Sequence, residues 1–176
     1  MKKYLEARFS FLYIGEACGV IGFLILSFPI DFLYPQWRLF SLYSFWASFF
    51  LLEFLLLQGS VYWYFKWKGL KRENRSITPL WLVLQLKHVQ KINIFVIILA
   101  PVLFMIDVWR WQSTMPVAGL TIVGGIYALG VLEYINYFHV QLSYDNRSDL
   151  KYLIKTKRLK QACIRKDFQR LDEGGA

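Results

Sequence analysis

The chain has 176 residues, of which 56% belong to apolar types and only 19% are charged. Soluble domains usually contain about 45–50% apolar and about 25% charged residues, so this composition excludes a soluble enzyme, an ordinary nucleic-acid-binding domain and a disordered chain. The formal net charge is +9, and the basic residues are concentrated outside the long apolar runs. The sequence therefore predicts an integral membrane protein, but it indicates no particular activity.

Four apolar segments are long enough to cross a membrane. A helix rises ~1.5 Å per residue, so about 20 residues cross a hydrocarbon layer of about 30 Å. Helices are expected because backbone groups in lipid must pair within their own segment, and these runs lack the alternation of barrel strands. We predict an all-α polytopic membrane protein, a bundle of four transmembrane helices in two antiparallel hairpins, with spans at residues 9–30, 39–65, 92–109 and 116–140.

The predicted transmembrane domain covers residues 1–140, and a basic cytoplasmic tail covers residues 141–176. Residues 78–91 begin with Pro79 near a helix start, and they form either a cytoplasmic interfacial helix or an inward extension of the third span. The tail is predicted to form a basic C-terminal helix. Its apolar residues make a partial stripe of Leu150, Leu153, Ile154, Ile164, Phe168 and Leu171.

The distribution of Lys and Arg predicts the orientation. Residues 1–10 contain three, residues 66–91 contain seven, and the chain after Val140 contains nine, so these regions hold nineteen of the 21. Only Arg38 and Arg110 fall on the other side. Because positive residues stay in the cytoplasm, we expect both termini to be cytoplasmic. The short outer connections favour a bacterial cytoplasmic membrane.

Three glutamates, Glu16, Glu53 and Glu133, lie inside the predicted spans. A charge at mid-membrane costs at least ~2.5–3.5 kcal/mol, so such residues suggest a polar site. We predict that all three border one cavity open to the cytoplasm. Because no Lys or Arg lies inside a span, we expect at least one glutamate to be protonated near neutral pH or hydrogen-bonded to an amide or a tyrosine. The candidate intramembrane polar site comprises Glu16, Glu53, Asn93, Glu133, Asn136 and Tyr137.

Three smaller expectations concern packing, ion pairing and metals. Small residues let helices approach closely, so four glycines are predicted to be helix-packing positions. Asp107 precedes Arg110 by about one turn, which predicts a local ion pair. The two histidines and the acidic residues lack metal-ligand spacing, so no metal or other cofactor is expected. The four packing glycines are Gly15, Gly19, Gly124 and Gly125.

Three classes of function fit these patterns, and we favour a non-enzymatic accessory or interaction protein whose basic loop and tail engage a partner or anionic lipid headgroups. Its partner would be another membrane protein or a second copy of this chain, and nucleic acid is not expected. The alternatives are a small proton- or ion-coupled transporter or channel that uses the glutamates, and a membrane-embedded lipid-modifying enzyme. The predicted lipid-binding residues are Lys155, Lys157, Arg158, Lys160, Arg165 and Lys166.

Overall fold

The structure, a computed structural model, describes residues 2–74, 77–143 and 147–174. Two short 3-10 helices, Pro35–Trp37 and Leu39–Ser41, link the first two long helices. The first four α-helices are long and apolar enough to cross a membrane, which confirms the predicted all-α bundle. The helices are α1 (Lys2–Leu33), α2 (Tyr43–Glu73), α3 (Leu80–Arg110), α4 (Val117–Phe138), α5 (Arg147–Thr156) and α6 (Cys163–Gly174).

Helix α2 lies at the centre of the bundle. It packs against α1, α3 and α4, whereas α3 and α4 contact each other less. Helix α1 contains no buried residue and packs on α2. We call the end with residues 2–8, 66–91 and α6 the basic end, and the end with residues 31–42 and 110–116 the loop end. Helix α2 therefore provides most of the contact between the first hairpin, α1 and α2, and the second, α3 and α4.

Helix α3 extends well beyond the predicted third span. It begins at Leu80, directly after Pro79, whose carbonyl oxygen accepts hydrogen bonds from the N–H groups of the first turn at 3.1 and 3.2 Å. It continues without interruption to Arg110, although Pro101 lies inside it. Of the two alternatives for residues 78–91, the structure therefore shows the inward extension of the third span.

The predicted tail helix is divided into α5 and α6. Lys157 has a positive φ of 51°, which ends α5 and turns the chain back towards the bundle. The N–H of Gln141 then donates to the carbonyl oxygen of Lys160 at 2.7 Å, and the N–H of Ala162 donates to that of His139 at 3.2 Å. These bonds fix both ends of residues 142–159 beside the end of α4, and we call this segment the basic loop.

Asp107 joins α3 to the beginning of α2 at the loop end. Its carboxylate accepts hydrogen bonds from the N–H groups of Tyr43 and Ser44 at 3.1 and 2.8 Å, and from the Ser44 hydroxyl at 2.6 Å. The first N–H groups of a helix have no partner inside it, so Asp107 caps α2. The predicted ion pair with Arg110 is wrong, because the Arg110 guanidinium donates instead to the carbonyl oxygen of Ser41 at 3.3 Å.

Close helix packing occurs mostly at glycines other than those predicted. A side chain at Gly19 would meet Leu56 at 3.4 Å, but side chains at the three other predicted packing glycines would meet nothing within 4 Å. The packing role of these three glycines stays a prediction. Contacts with another chain would be needed to confirm it. Closer approaches within the described residues occur at Gly59, Gly119 and Gly130. The three glycines facing open space are Gly15, Gly124 and Gly125.

Candidate functional site

A cavity of about 260 Å³ lies at the basic end, between α1, α2, α4 and the chain that leads into α6. Glu16 of α1 lines it together with Glu133, Asn136 and Tyr137 of α4. The spacing of three and four residues places the three α4 side chains on one face of that helix. Four of the six predicted site residues therefore come together, three of them through their spacing along α4 and the fourth, Glu16, through the packing of α1.

Asn136 orients the carboxylate of Glu133. Its Nδ2 donates to Oε2 of Glu133 at 3.2 Å, and its Oδ1 accepts from the N–H of Leu142 at 2.8 Å. The amide side chain is thus fixed from both sides, by the cavity wall and by the chain that leaves α4. Asn136 is therefore a positioning residue for the glutamate.

Tyr137 contributes a buried hydroxyl group to the cavity. The residue is only 5% exposed, and its ring and hydroxyl pack directly against the backbone of Gly59. Glu16 and Glu133 both lie close enough to interact electrostatically with this hydroxyl. The hydroxyl oxygen is buried and lies beside the Glu16 carboxylate without forming a well-aligned hydrogen bond. Tyr137 therefore places a buried hydroxyl group within reach of Glu16 at the edge of the cavity.

Basic side chains line the same cavity. Arg8, Lys66 and Lys160 come from the start of α1, from α2 and from the tail. The ammonium group of Lys66 lies 3.3 Å from a carboxylate oxygen of Asp167 and over the ring of Tyr62. All three basic residues fall outside the predicted spans, yet the fold brings them beside two glutamates of those spans. The cavity wall thus combines both signs of charge.

Glu53 lies outside this cavity. On α2 it is seven residues from Ser60, so the two share a face, and the Ser60 hydroxyl donates to the carbonyl oxygen of Tyr13 in α1 at 3.3 Å. Glu53 therefore faces α1, about 10 Å nearer the loop end. Its carboxylate oxygens are buried, and no described residue donates to them. The prediction that all three glutamates share one cavity is wrong for Glu53.

Asn93 also lies elsewhere, in the interface between α2 and α3. It is fully buried and forms a reciprocal amide pair with Gln58, with N···O distances of 3.1 and 2.9 Å. Gln58 also donates to the carbonyl oxygen of Phe54 at 3.0 Å. Sequence reasoning placed Asn93 in the polar site and left Gln58 out, because the pairing depends on which face of α2 meets α3.

Asp167 of α6 is a buried polar residue that sequence reasoning missed. Its carboxylate accepts hydrogen bonds from the hydroxyl groups of Tyr62 and Thr78, both at 2.7 Å, and lies 3.3 Å from the Lys66 ammonium group. These contacts attach α6 to α2 and to the chain just before α3. The signal was present in the sequence, since Asp167 falls inside the apolar stripe, three residues after Ile164.

No group of three or more His, Cys, Asp or Glu side chains in the described ranges is arranged to hold a metal ion. Comparison of the chain with protein-family models, with curated proteins and with solved structures finds no match.

Proposed function

We propose that this chain is a non-enzymatic integral membrane protein that binds anionic lipid headgroups through its basic loop and tail. The supporting observation is the surface of α5. Leu150 and Ile154 lie one turn apart and are 47% and 69% exposed, and the exposed Lys151 and Lys155 lie beside them. An apolar helical face flanked by lysines is typical of helices that lie in a membrane interface.

The way the basic loop is attached supports the same role. The residues that flank it, Gln141 and Lys160, are hydrogen-bonded to each other directly after α4, and α4 is long and apolar enough to span a membrane. Helix α5 is therefore kept close to the point where a span leaves the bilayer. Lys157 and Arg158, both exposed, extend the positive surface of the loop. Each basic residue near an anionic membrane contributes about 1 kcal/mol of attraction.

Helix α6 adds to this surface. Its buried side includes Ile164 and Phe168, and its Arg165 and Lys166 are exposed. Lys160, the remaining predicted lipid-binding residue, instead lines the cavity at the basic end. The exposed basic residues of the basic loop and of α6 therefore make the proposed lipid contact.

We also infer that the basic end faces the cytoplasm of a bacterial cell. Nineteen of the 21 Lys and Arg residues lie in the three segments at that end, as expected for the cytoplasmic side. The loop end has only two basic residues, Arg38 and Arg110. The Arg38 guanidinium lies 4.5 Å from the centre of the Trp111 ring. Its two connections, residues 34–42 and 111–116, are short, which fits an outer face without a folded domain.

Labelling with a membrane-impermeant maleimide tests this orientation. Cys18 and Cys163 are first replaced by Ser, and single cysteines are introduced as Ser113→Cys at the loop end or Lys157→Cys in the basic loop. On intact cells we expect labelling of the loop-end cysteine only, with the basic-loop cysteine labelled after lysis. The opposite pattern would overturn the orientation.

The lipid proposal is tested with the full chain in vesicles. In the same Ser background, Ile154→Cys carries a polarity-sensitive fluorophore. We expect blue-shifted emission and quenching by spin-labelled lipid when the vesicles contain phosphatidylglycerol, and much less of both in phosphatidylcholine alone. Replacing the four exposed basic residues of the loop by Gln should remove this difference. Those residues are Lys151, Lys155, Lys157 and Arg158.

The matched control is Lys68→Gln with Lys71→Gln, which removes positive charge from α2 at the same end and should leave the difference intact. Identical emission in both kinds of vesicle would contradict the lipid proposal. Solute flux or lipid turnover by the wild-type chain in these vesicles would favour the transporter or the enzyme alternative instead.

A further inference from the structure

The cavity at the basic end lies between two spans that do not seal against each other. Helices α1 and α4 each pack on α2, and neither packs extensively on the other. Glu16 and Glu133 line the cavity from these two helices. The arrangement leaves a cleft on the side between α1 and α4, where the surrounding lipid would lie.

Two carboxylates, those of Glu16 and Glu133, line this cavity, and the buried hydroxyl group of Tyr137 lies beside Glu16 without a well-aligned hydrogen bond. A primary ammonium group has three N–H donors and no acceptor. We propose that the cavity binds a primary ammonium group, and that its source is the ethanolamine headgroup of a membrane phospholipid.

The depth of the cavity favours the lipid as the source of the amine. Glu16 lies eight residues after Arg8, or about 12 Å along α1, and Glu133 lies five residues before the end of α4, or about 8 Å. The carboxylates are thus just inside the basic residues, at the boundary between headgroups and acyl chains. A phospholipid lying in the cleft between α1 and α4 reaches this depth by turning its headgroup inward from the bilayer, whereas a dissolved amine must enter from the water.

The charges and size of the cavity agree with a headgroup. Arg8, Lys66 and Lys160 line it beside the glutamates, so a phosphate joined to the amine would meet positive charge. The volume of about 260 Å³ is below the roughly 300–1,000 Å³ of sites for drug-sized ligands. The site therefore suits a headgroup with its chains left in the bilayer.

The test compares two lipids that differ only in methylation of the amine. The full chain is incubated with equal amounts of phosphatidylethanolamine and phosphatidylcholine, and retained lipid is measured by native mass spectrometry. We expect preferential retention of phosphatidylethanolamine, because the quaternary amine of phosphatidylcholine has no N–H donors. Equal retention would overturn the proposal. Stabilisation by free ethanolamine without that lipid preference would overturn the lipid source.

Variants then locate the binding. Glu16→Gln and Glu133→Gln should each weaken retention of phosphatidylethanolamine about tenfold or more, because a charged hydrogen-bond acceptor is lost. Tyr137→Phe should weaken it by a smaller factor and preserve the packing of the ring. The matched control is Glu53→Gln, which changes the same residue type in a neighbouring span outside the cavity and should have no effect.

Two comparisons keep the outcome interpretable. If the glutamate variants fail to fold, Tyr137→Phe serves as the test instead. Retention of phosphatidylethanolamine equal to that of the wild-type chain would then overturn the proposal. The basic-loop variant with four Gln substitutions should lose its response to phosphatidylglycerol but keep its preference for phosphatidylethanolamine. Failure of the lipid-surface proposal is thereby separated from failure of the cavity proposal.

Discussion

The two ends of the bundle each contain a buried aspartate, and their carboxylates are satisfied in different ways. At the loop end, Asp107 accepts hydrogen bonds from two backbone N–H groups and the hydroxyl of Ser44, all at the start of α2. At the basic end, Asp167 accepts from the side chains of Tyr62 and Thr78. The first carboxylate is part of the packing between spans, whereas the second attaches the tail to the finished bundle.

Removal of the Asp107 carboxylate should have the largest effect on stability. Asp107→Ala leaves two N–H groups and one hydroxyl without their buried partner, so we expect the free energy of unfolding to fall by about 3 kcal/mol. Denaturant unfolding in micelles, followed by circular dichroism, measures this loss. The matched control is Asp31→Ala, because Asp31 accepts one longer bond, 3.3 Å from the N–H of Phe40. Equal losses in the two variants would contradict the capping role of Asp107.

Loss of the Asp167 carboxylate should release the tail and leave the spans packed. We expect Asp167→Ala to weaken the docking of α6 by about 2 kcal/mol, because buried hydroxyl groups lose their acceptor. Faster tryptic cleavage after Lys166, together with faster hydrogen exchange in α6, measures the release. Asp172→Ala removes only an exposed ion pair with Lys87 and should cost less than about 1 kcal/mol. Unchanged cleavage in the Asp167 variant would show that apolar packing alone holds α6.

Substitutions in the Gln58–Asn93 amide pair, which lies between the two ends, should reduce the free energy of unfolding least. Gln58→Leu or Asn93→Leu alone leaves a buried amide without its partner, which should cost about 1 kcal/mol of unfolding free energy. The double variant should cost less than the sum of the two, because no amide then remains unpaired. A double-mutant cycle from denaturant unfolding gives the coupling energy, and simple additivity would contradict the pairing.

The spans could be predicted because long apolar runs have few stable conformations in lipid. The grouping of Glu133, Asn136 and Tyr137 followed from their spacing along one helix. The positions of Glu53 and Asn93 could not be predicted in the same way. Helical periodicity defines the faces of α2, but only the packing shows that one face meets α1 and another meets α3.

The two buried aspartates show a second limit of the sequence. The nearest residue of opposite charge along the chain suggested Arg110 as the partner of Asp107, yet the groups it binds in α2 are 63 and 64 residues away. Asp167 and Tyr62 are separated by 105 residues. Contacts over such distances depend on how the helices assemble, so local spacing did not reveal them.

The sparse packing of α1 has a consequence for biosynthesis. Helix α1 has no buried residue, and it is made before α2, the helix on which it rests. Glu16 therefore enters the bilayer ahead of the cavity residues that α2 and α4 supply, and Tyr137 follows only with the last of the four spans. Of the four spans, the one with the least supporting packing is thus made first, and the polar cavity is completed only after α4, by the chain that leads into α6.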